Sequence, residues 1–285
     1  MKFLREVPPG GEGLVVLRCD HWGYNSIGVV SEDEACVVDP GLTPGEVAAM
    51  GDALREGGRR VTTVLLTHSH HDHIRGWDAF PGARVVAPAA VRDKEEGPRA
   101  RILAGKARFD ERLEDPAPGF RYPEVDDAFE VETTFRVGRL EVEARFLPGH
   151  SNCTSVALVP ALGALLTADY LVVPGLPYCR WEAAPFERAQ RELSDIVRAR
   201  DVDVVVPAHN DLIEGRDAIE AAIRAELDYF AELRRVVGAH LADGAGKDEL
   251  LRRCAAHMGE RRGEDLGPRA RQDAENARRV LAELS

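Results

Sequence analysis

Residues 61–73 read VTTVLLTHSHHDH, an apolar run followed at once by a cluster of histidines and an aspartate. The apolar run is rich in β-branched residues and predicts a buried strand. If the chain stays extended beyond it, His68 and His70 project to the same side. Asp72 and His73 can then turn toward a neighbouring point. Crowded imidazoles repel one another when protonated, whereas a divalent cation favours their neutral form. The stretch therefore predicts two adjacent metal subsites at a strand end.

The whole-chain composition excludes several classes of protein. The 285 residues include 49 Asp and Glu against 37 Lys and Arg, a net charge of −12, and 44% are hydrophobic. These values favour a globular protein with one large domain, or a core with an appendage, and argue against a nucleic-acid partner. The five cysteines contain no C-x-x-C pair, which indicates reduced thiols rather than a thiolate zinc site. With no apolar leader or membrane-length window, we expect a cytoplasmic protein without membrane attachment.

The pattern of apolar residues divides the chain near residue 212. Short β-rich runs dominate residues 1–212, including one predicted strand over Phe129–Phe135, and a capped helix is expected after Thr43. Residues 92–127 are charged and rich in Pro and Gly, which predicts a lid or surface insertion. Residues 213–285 form an all-helical appendage, with helices predicted over Asp217–Ala242, Lys247–Met258 and Pro268–Leu284.

The histidine-rich stretch and four further motifs resemble the metallo-β-lactamase superfamily. Its H-x-H-x-D-H signature is matched by His68, His70, Asp72 and His73. The later motifs of the family are similar to PGHS at 148–151, ADY at 168–170 and PAHN at 207–210, and its early strand-end aspartate is similar to VVDPG at 37–41. The resemblance spans residues 14–212. It implies an α/β fold, an αββα sandwich of two mixed sheets flanked by helices, with the C-terminal all-helical appendage added to it.

The resemblance also implies a metal-ligand set. His68, His70 and His150 would hold one metal, Asp72, His73 and His209 the other, and Asp169 would bridge them. Asp39 would support the metal loop from behind, or else serve only as a turn-forming residue. His71 points away from the metals in the proteins that this chain resembles and is excluded as a ligand. Two divalent ions are implied, with zinc favoured by the mixed nitrogen and oxygen ligands and iron or manganese also suitable.

A dinuclear site of this kind implies a metal-dependent hydrolase in which a bridging hydroxide attacks a small acyl ester, thioester or lactone. Asp72 would move a proton and Asp169 would hold the metal pair. The chain is similar to the glyoxalase II-like and lactonase-like branch, and not to the true β-lactamases, which lack the bridging aspartate. Three alternatives remain open: a mononuclear iron enzyme similar to persulfide dioxygenases, a phosphodiesterase or ribonuclease-like hydrolase, and a low-turnover regulatory protein that binds a ligand.

Contacts to the small-molecule substrate are predicted from residues near the motifs. Arg75 follows the signature where the family often has glycine, so it either contacts an anionic substrate or forms a surface salt bridge. Asn210 replaces a glycine after the last histidine. Aromatic residues that flank the motifs are further candidates, although aromatics also serve packing: Trp77, Tyr170, Tyr178 and Trp181. In the C-terminal helices, the apolar stripe Leu227, Phe230, Leu233 and Val237 either docks on the core or forms a homodimer interface.

Overall fold

The computed structural model describes residues 1–8, 10–113, 119–263 and 268–284. Within these ranges the first sheet has seven strands in chain order: β1 (Lys2–Arg5), β2 (Gly13–Arg18), β3 (Asn25–Ser31), β4 (Glu34–Val38), β5 (Arg60–Leu65), β6 (Arg84–Pro88) and β7 (Asp127–Phe129). Neighbouring strands from β1 to β4 are antiparallel, and those from β4 to β7 are parallel. The first sheet is therefore mixed.

The second sheet, counted over the same described ranges, has six strands in the order β13-β12-β11-β10-β9-β8. They are β8 (Glu132–Val137), β9 (Leu140–Phe146), β10 (Ser155–Val159), β11 (Ala164–Ala168), β12 (Val204–Pro207) and β13 (Ile213–Glu214). Only the β11 and β12 pair is parallel among these described strands. The single predicted strand Phe129–Phe135 is corrected here, because the chain leaves the first sheet after Phe129 and enters the second at Glu132.

The described helices are α1 (Pro44–Arg55), α2 (Ala89–Arg92), α3 (Glu96–Asp110), α4 (Ala183–Ala199), α5 (Arg216–Ala242), α6 (Lys247–Arg262) and α7 (Pro268–Leu284), with short 3₁₀ turns at Glu56–Gly58 and Pro160–Leu162. The predicted cap of α1 is present, since the Glu46 amide donates to Thr43 Oγ1 at 3.3 Å and the Thr43 amide donates to Glu46 Oε2 at 2.9 Å. In the parts of the chain that the structure describes, no helix is both long and apolar enough to cross a membrane.

Three apolar layers hold these elements together. One core lies between the sheets, where Val38 and Leu65 of the first pack with Leu166 and Val206 of the second. Helix α1 covers the outer face of the first sheet, and the backbone of Gly28 leaves room for it. A β-carbon at Gly28 would lie 2.3 Å from a Leu54 methyl carbon, so this position in β3 tolerates no side chain. These layers confirm the predicted sandwich of two mixed sheets flanked by helices.

The C-terminal helices cover the outer face of the second sheet together with α4. The predicted apolar stripe of α5 faces this core, where Phe230, Leu233 and Val237 are fully or almost fully buried and Leu227 packs at its edge. Intrachain packing therefore occupies the stripe. Homodimerisation through other surfaces of these helices and the domain division at residue 212 stay predictions.

The segment 92–127 contains α3, a helix that the sequence does not predict. Gly97, Pro98 and Gly105 lie within it, and such residues favour loops over helices. Pro98 lies in the first turn, where a missing amide proton breaks no helical hydrogen bond. Residues 114–118 of this segment lie outside the described residues, and its role as a lid stays a prediction.

Glu226 is a buried carboxyl group between α5 and α4. Gln190 Nε2 donates to its Oε2 at 2.5 Å, and burial raises the pKa of Glu226 to about 8 from an ordinary 4.5. In the unfolded chain the group ionises near its ordinary pKa, so stability falls as pH rises from about 4.5 to about 8.

Glu226→Gln is therefore expected to flatten the alkaline part of the stability profile. At pH 9 the variant should be more stable than the parent by about 1–4 kcal/mol, while at pH 5 the two should be similar. Urea unfolding at both pH values measures this, with Asp228→Asn, an exposed carboxyl on the same helix, as the control. Parallel pH profiles for the parent and Glu226→Gln would contradict the buried, protonated state of Glu226.

Candidate metal centre

The predicted metal ligands meet at one end of the sandwich, where strands of both sheets finish. His68, His70, Asp72 and His73 follow β5, and the other three, His150, Asp169 and His209, follow β9, β11 and β12. Two contacts join the sheets at this end: the Ser155 amide donates to the Thr67 carbonyl at 2.9 Å, and Tyr24 forms a bridge with His209. Because parallel strands end at a common edge, loops that are distant in sequence converge there.

His68, His70 and His150 form the first group of possible ligand atoms. His70 Nδ1 lies 2.9 Å from His68 Nε2 and 3.0 Å from His150 Nε2. Three ring nitrogens therefore point at one small space, and Asp169 Oδ2 faces the same space 3.0 Å from His150 Nε2. These four side chains offer ligand atoms that all lie within 4.8 Å of one another.

Asp72, His73 and His209 form the second group, whose ligand atoms also lie within 4.8 Å of one another. His209 Nε2 lies 3.5 Å from Asp72 Oδ2, and His73 Nε2 lies 3.8 Å from the same oxygen. Asp169 faces this group as well, because its Oδ1 lies 3.1 Å from His73 Nε2 and 3.5 Å from His209 Nε2. The carboxylate of Asp169 thus directs one oxygen to each group.

The imidazoles are held from behind by oxygen acceptors. Asp39 Oδ2 lies 2.8 Å from His73 Nδ1, and its Oδ1 accepts the Thr67 amide at 2.8 Å. The Tyr178 carbonyl accepts a hydrogen bond from His150 Nδ1, and the Trp22 carbonyl accepts one from His209 Nδ1. Because these acceptors fix a proton on Nδ1, the Nε2 lone pair of each ring stays directed at the centre.

The C-terminal helix α7 reaches the centre through the segment before α4. Asn276 Nδ2 donates to the Pro177 carbonyl at 2.6 Å, and its Oδ1 accepts the Cys179 amide at 3.1 Å. Tyr178, between these two residues, supplies the carbonyl that accepts from His150 Nδ1 at 2.6 Å. The helical appendage therefore helps to orient a possible metal ligand.

Burial and neighbouring charges shift the histidine pKa values differently in the two groups of possible ligands. Burial lowers the pKa of His68 and His70, and neighbouring imidazoles lower it further. Burial also opposes protonation of His73, but the three surrounding carboxylates outweigh it and raise its pKa well above the ordinary value. For Asp169, burial would raise the pKa, yet nearby imidazoles hold it well below the usual range. The first group thus favours the neutral imidazoles that bind a metal ion, and the carboxylates around the second group supply negative charge that a bound cation would neutralise.

Unsatisfied buried atoms provide an independent test of whether metal ions fit. His73 Nε2 and Asp169 Oδ1 are both buried, and although these two atoms lie 3.1 Å apart, neither makes a well-formed hydrogen bond with any described residue. Such orphaned polar atoms are costly in a folded protein unless something binds them. Both face the centre and both are metal-ligand types, so the residues present fit a pair of divalent ions.

A cleft of about 1090 Å³ opens beside the two groups and includes Tyr178 and Asn210 from the predicted substrate contacts. Three other predicted contacts are not among the described residues that line the cleft. Arg75 is buried and its Nη1 pairs with Asp110 Oδ1 at 3.1 Å, while the Trp77 indole donates to the Arg121 carbonyl inside the core. The Tyr170 hydroxyl is likewise buried; it donates to the Leu147 carbonyl at 2.7 Å and accepts the His150 amide at 3.0 Å.

Trp181 lies half-buried just before α4, away from the side chains that line the cleft. Besides Tyr178, the cleft is lined by two aromatic residues that were not predicted, Trp22 and Phe109; Trp22 is 48% exposed, and its ring centroid lies 4.6 Å from that of Phe109. Sequence reasoning missed both because neither adjoins a motif. One sequence feature could have identified Trp22, namely its position as a lone tryptophan in the polar turn between two predicted strands. No sequence feature identifies Phe109, which lies in the loop-like segment 92–127.

Comparisons with known proteins agree with this geometry. Hydroxyacylglutathione hydrolases from Stenotrophomonas maltophilia and Methylobacterium nodulans are 46% and 39% identical over 68 and 72 residues. These matches span 22% and 24% of the chain and only 25% and 28% of the two relatives.

Solved structures show the same fold. A metallo-beta-lactamase family protein from Thermus thermophilus superposes with a TM-score of 0.64 at 20% identity, over 95% of this chain and 94% of that one. A stereoselective inverting sec-alkylsulfatase from Pseudomonas sp. gives a TM-score of 0.66 at 15% identity, over 96% of this chain and 50% of that one. The family model of the metallo-beta-lactamase superfamily matches residues 20–209, more than half of the sequence. The protein belongs to the metallo-beta-lactamase superfamily.

Proposed function

We propose that the protein is a dinuclear metal-dependent hydrolase of a small acyl ester, thioester or lactone, with a thioester as the favoured substrate. One observation carries the proposal: the two carboxylate oxygens of Asp169 face two separate groups of ligand atoms. A side chain placed in this way suits a bridge between two cations. The thioester is favoured because both curated relatives are named for hydroxyacylglutathione, which is a thioester.

Six of the candidate ligands would hold the two metal ions, three for each ion. His68, His70 and His150 would hold one ion, and Asp72, His73 and His209 the other, with zinc the ion that suits this ligand set best. When bound, two such ions supply Lewis acidity and lower the pKa of water.

Asp39 keeps the His73 ring oriented, and Tyr178 does the same for His150 through its carbonyl. Asp72 is among the residues that line the cleft, and its carboxylate would accept a proton there. Hydrolysis of a thioester joins the oxygen of water to the acyl carbon and breaks the C–S bond. The products are a carboxylate, a thiol and a proton.

Metal analysis and turnover test the proposal directly. The purified protein should bind close to two equivalents of zinc, and the loaded protein should hydrolyse thioesters faster than phosphodiesters of similar size. A single bound iron with oxygen consumption would instead favour the persulfide dioxygenase-like alternative. If the metal-loaded protein hydrolyses none of a panel of esters, thioesters and lactones, the result would favour the alternative of a low-turnover regulatory protein that binds a ligand.

Asp169→Asn is expected to lower metal content and activity together. An amide supplies one neutral oxygen in place of two charged ones, so the variant should retain about one equivalent of metal or less. Activity should fall by more than the roughly 10–100-fold that changes behind the ligands cost. Elemental analysis and steady-state kinetics measure this, with circular dichroism to check the fold and the exposed Asp195→Asn as control. Unchanged metal content in Asp169→Asn would contradict the bridging role.

Asp39→Asn tests the support of His73 with little disturbance of the backbone. Asp39 has a φ of 49°, a left-handed conformation that asparagine also tolerates. The amide can still accept the Thr67 amide proton, but it is a weaker acceptor for His73 Nδ1. We expect metal affinity to fall about 10–100-fold, measured by competition with a chelator. Asp33→Asn, at an exposed turn, should bind metal like the parent. Equal affinity for all three proteins would show that Asp39 only shapes a turn.

A further inference from the structure

The cleft beside the candidate metal centre differs in charge from the rest of the molecule. Among the described residues that line it, the basic side chains are Lys94, Arg101, Arg108, Arg112, Arg180 and Arg271, and the acidic ones are the possible metal ligands Asp72 and Asp169. Six positive and two negative charges give this lining a formal charge of +4, so the rest of the chain carries −16 to reach −12. A cation-lined cleft in an acidic protein concentrates anions at that one place.

Half of these basic groups come from a single face of α3 and the turn that follows it. Arg101, Gly105, Arg108 and Arg112 recur at helical spacing, and all four line the cleft. At about 1.5 Å per residue, the row from Arg101 to Arg112 extends for about 16 Å. We call Arg101, Arg108 and Arg112 the arginine row. Gly105 interrupts the row with no side chain, and its position lies close to the histidine-rich stretch, because a β-carbon there would be 3.4 Å from His71 Cδ2.

No described side chain pairs with the arginine row. Across residues 1–8, 10–113, 119–263 and 268–284, no side chain forms an ion pair or hydrogen bond with any of the three guanidinium groups, and all three are exposed. The opposite face of the same helix is neutralised, because Asp110 pairs with both Lys106 and Arg75. That buried contact anchors α3 beside the centre, and the positive charge that is left over faces the cleft.

Resting on the proposed hydrolase function, we propose that the substrate carries an extended leaving group with at least two anionic groups, phosphate or carboxylate, which bind along the arginine row. Guanidinium groups bind both anions through paired hydrogen bonds. The scissile acyl group would then lie at the metal ligands, beside Trp22. A small carrier fits better than a polynucleotide, because the flanks of a long polyanion would meet the −16 charge of the remaining surface.

Binding of substrate carriers without a reactive thiol tests this inference apart from turnover. The probes are S-methyl-coenzyme A, with phosphates, S-methylglutathione, with carboxylates, and neutral S-methyl-N-acetylcysteamine. Titration calorimetry of the metal-loaded protein should detect one or both anionic probes and not the neutral one. The anionic probe that binds more tightly identifies the source of the charges. Equal binding of all three probes, or of none, would overturn the inference.

The variant Arg101→Gln/Arg108→Gln should weaken binding of the anionic probe about tenfold or more, because each lost guanidinium removes a charge-assisted hydrogen bond. The matched control Arg188→Gln/Arg224→Gln removes the same charge from exposed positions of α4 and α5 and should change binding less than about twofold. An equal loss in both double variants would show a general charge effect and would overturn the arginine row as a site. A single-stranded RNA that binds more tightly than both anionic probes, and depends on the same arginines, would also overturn it.

Kinetics separate failure of this inference from failure of the proposed function. With one acyl group on each carrier, the double variant should lower kcat/KM for the anionic thioester and leave that for the neutral one nearly unchanged. A parent that hydrolyses neutral and anionic thioesters equally well would defeat the inference but keep the hydrolase. A parent that binds the anionic probe through the arginine row yet hydrolyses no ester, thioester or lactone would defeat the proposed function and keep the binding site.

Discussion

The convergence of buried imidazoles on Asp169 is the constraint on which the rest of the structure depends. His68 and His73 are fully buried, with ring centroids only 3.9 Å apart, and Asp169 is 7% exposed between the two ligand groups. Without a cation, burial leaves imidazole nitrogens crowded against one another and Asp169 Oδ1 without a well-formed hydrogen bond to any described residue. The loops are therefore fixed by hydrogen bonds from outside the cluster, of which those to the Asp39 carboxylate are the most buried.

That external support explains why the fold needs both sheets and the C-terminal helices. Asp39 follows a strand of the first sheet, whereas the carbonyl behind His150 belongs to a segment held by Asn276 of α7. Glu226 of α5 lies beneath the loop after β11, within reach of the Leu171 backbone two residues beyond Asp169. The helical appendage is thus packed into the region that shapes the centre, and the stripe on α5 that holds it there is buried within the chain.

The sequence identified candidate ligands that the structure brings together, because most of them follow closely on a strand with a strong apolar signal. Residues 61–66 and 164–168 are almost uninterrupted apolar runs, so their ends could be located and the ligand types read in order. Predictions about the substrate were poorer, since adjacency in sequence does not decide which way a side chain points. Trp77 lies four residues beyond a ligand and turns into the core, whereas Trp22, far from the histidine-rich stretch, reaches the cleft. Helix α3 was missed because its glycines and proline mask a helix that tertiary contacts stabilise.

The net charge of the chain is negative, but the charge of the residues that line the cleft is positive. A total of −12 is an average over the whole surface, and a local excess of arginines contributes little to it. Of the two roles left open for Arg75, an anionic substrate or a salt bridge, the structure shows a salt bridge, which is buried and not at the surface. Arg75 forms an ion pair with Asp110, and this pair holds α3 in place. The exposed arginines of α3 bring positive charge to the cleft. The arginine row, which we propose binds an anionic ligand, therefore depends on the buried Arg75–Asp110 ion pair, although that pair does not line the cleft. For this reason the row can be recognised only when the position of α3 is known.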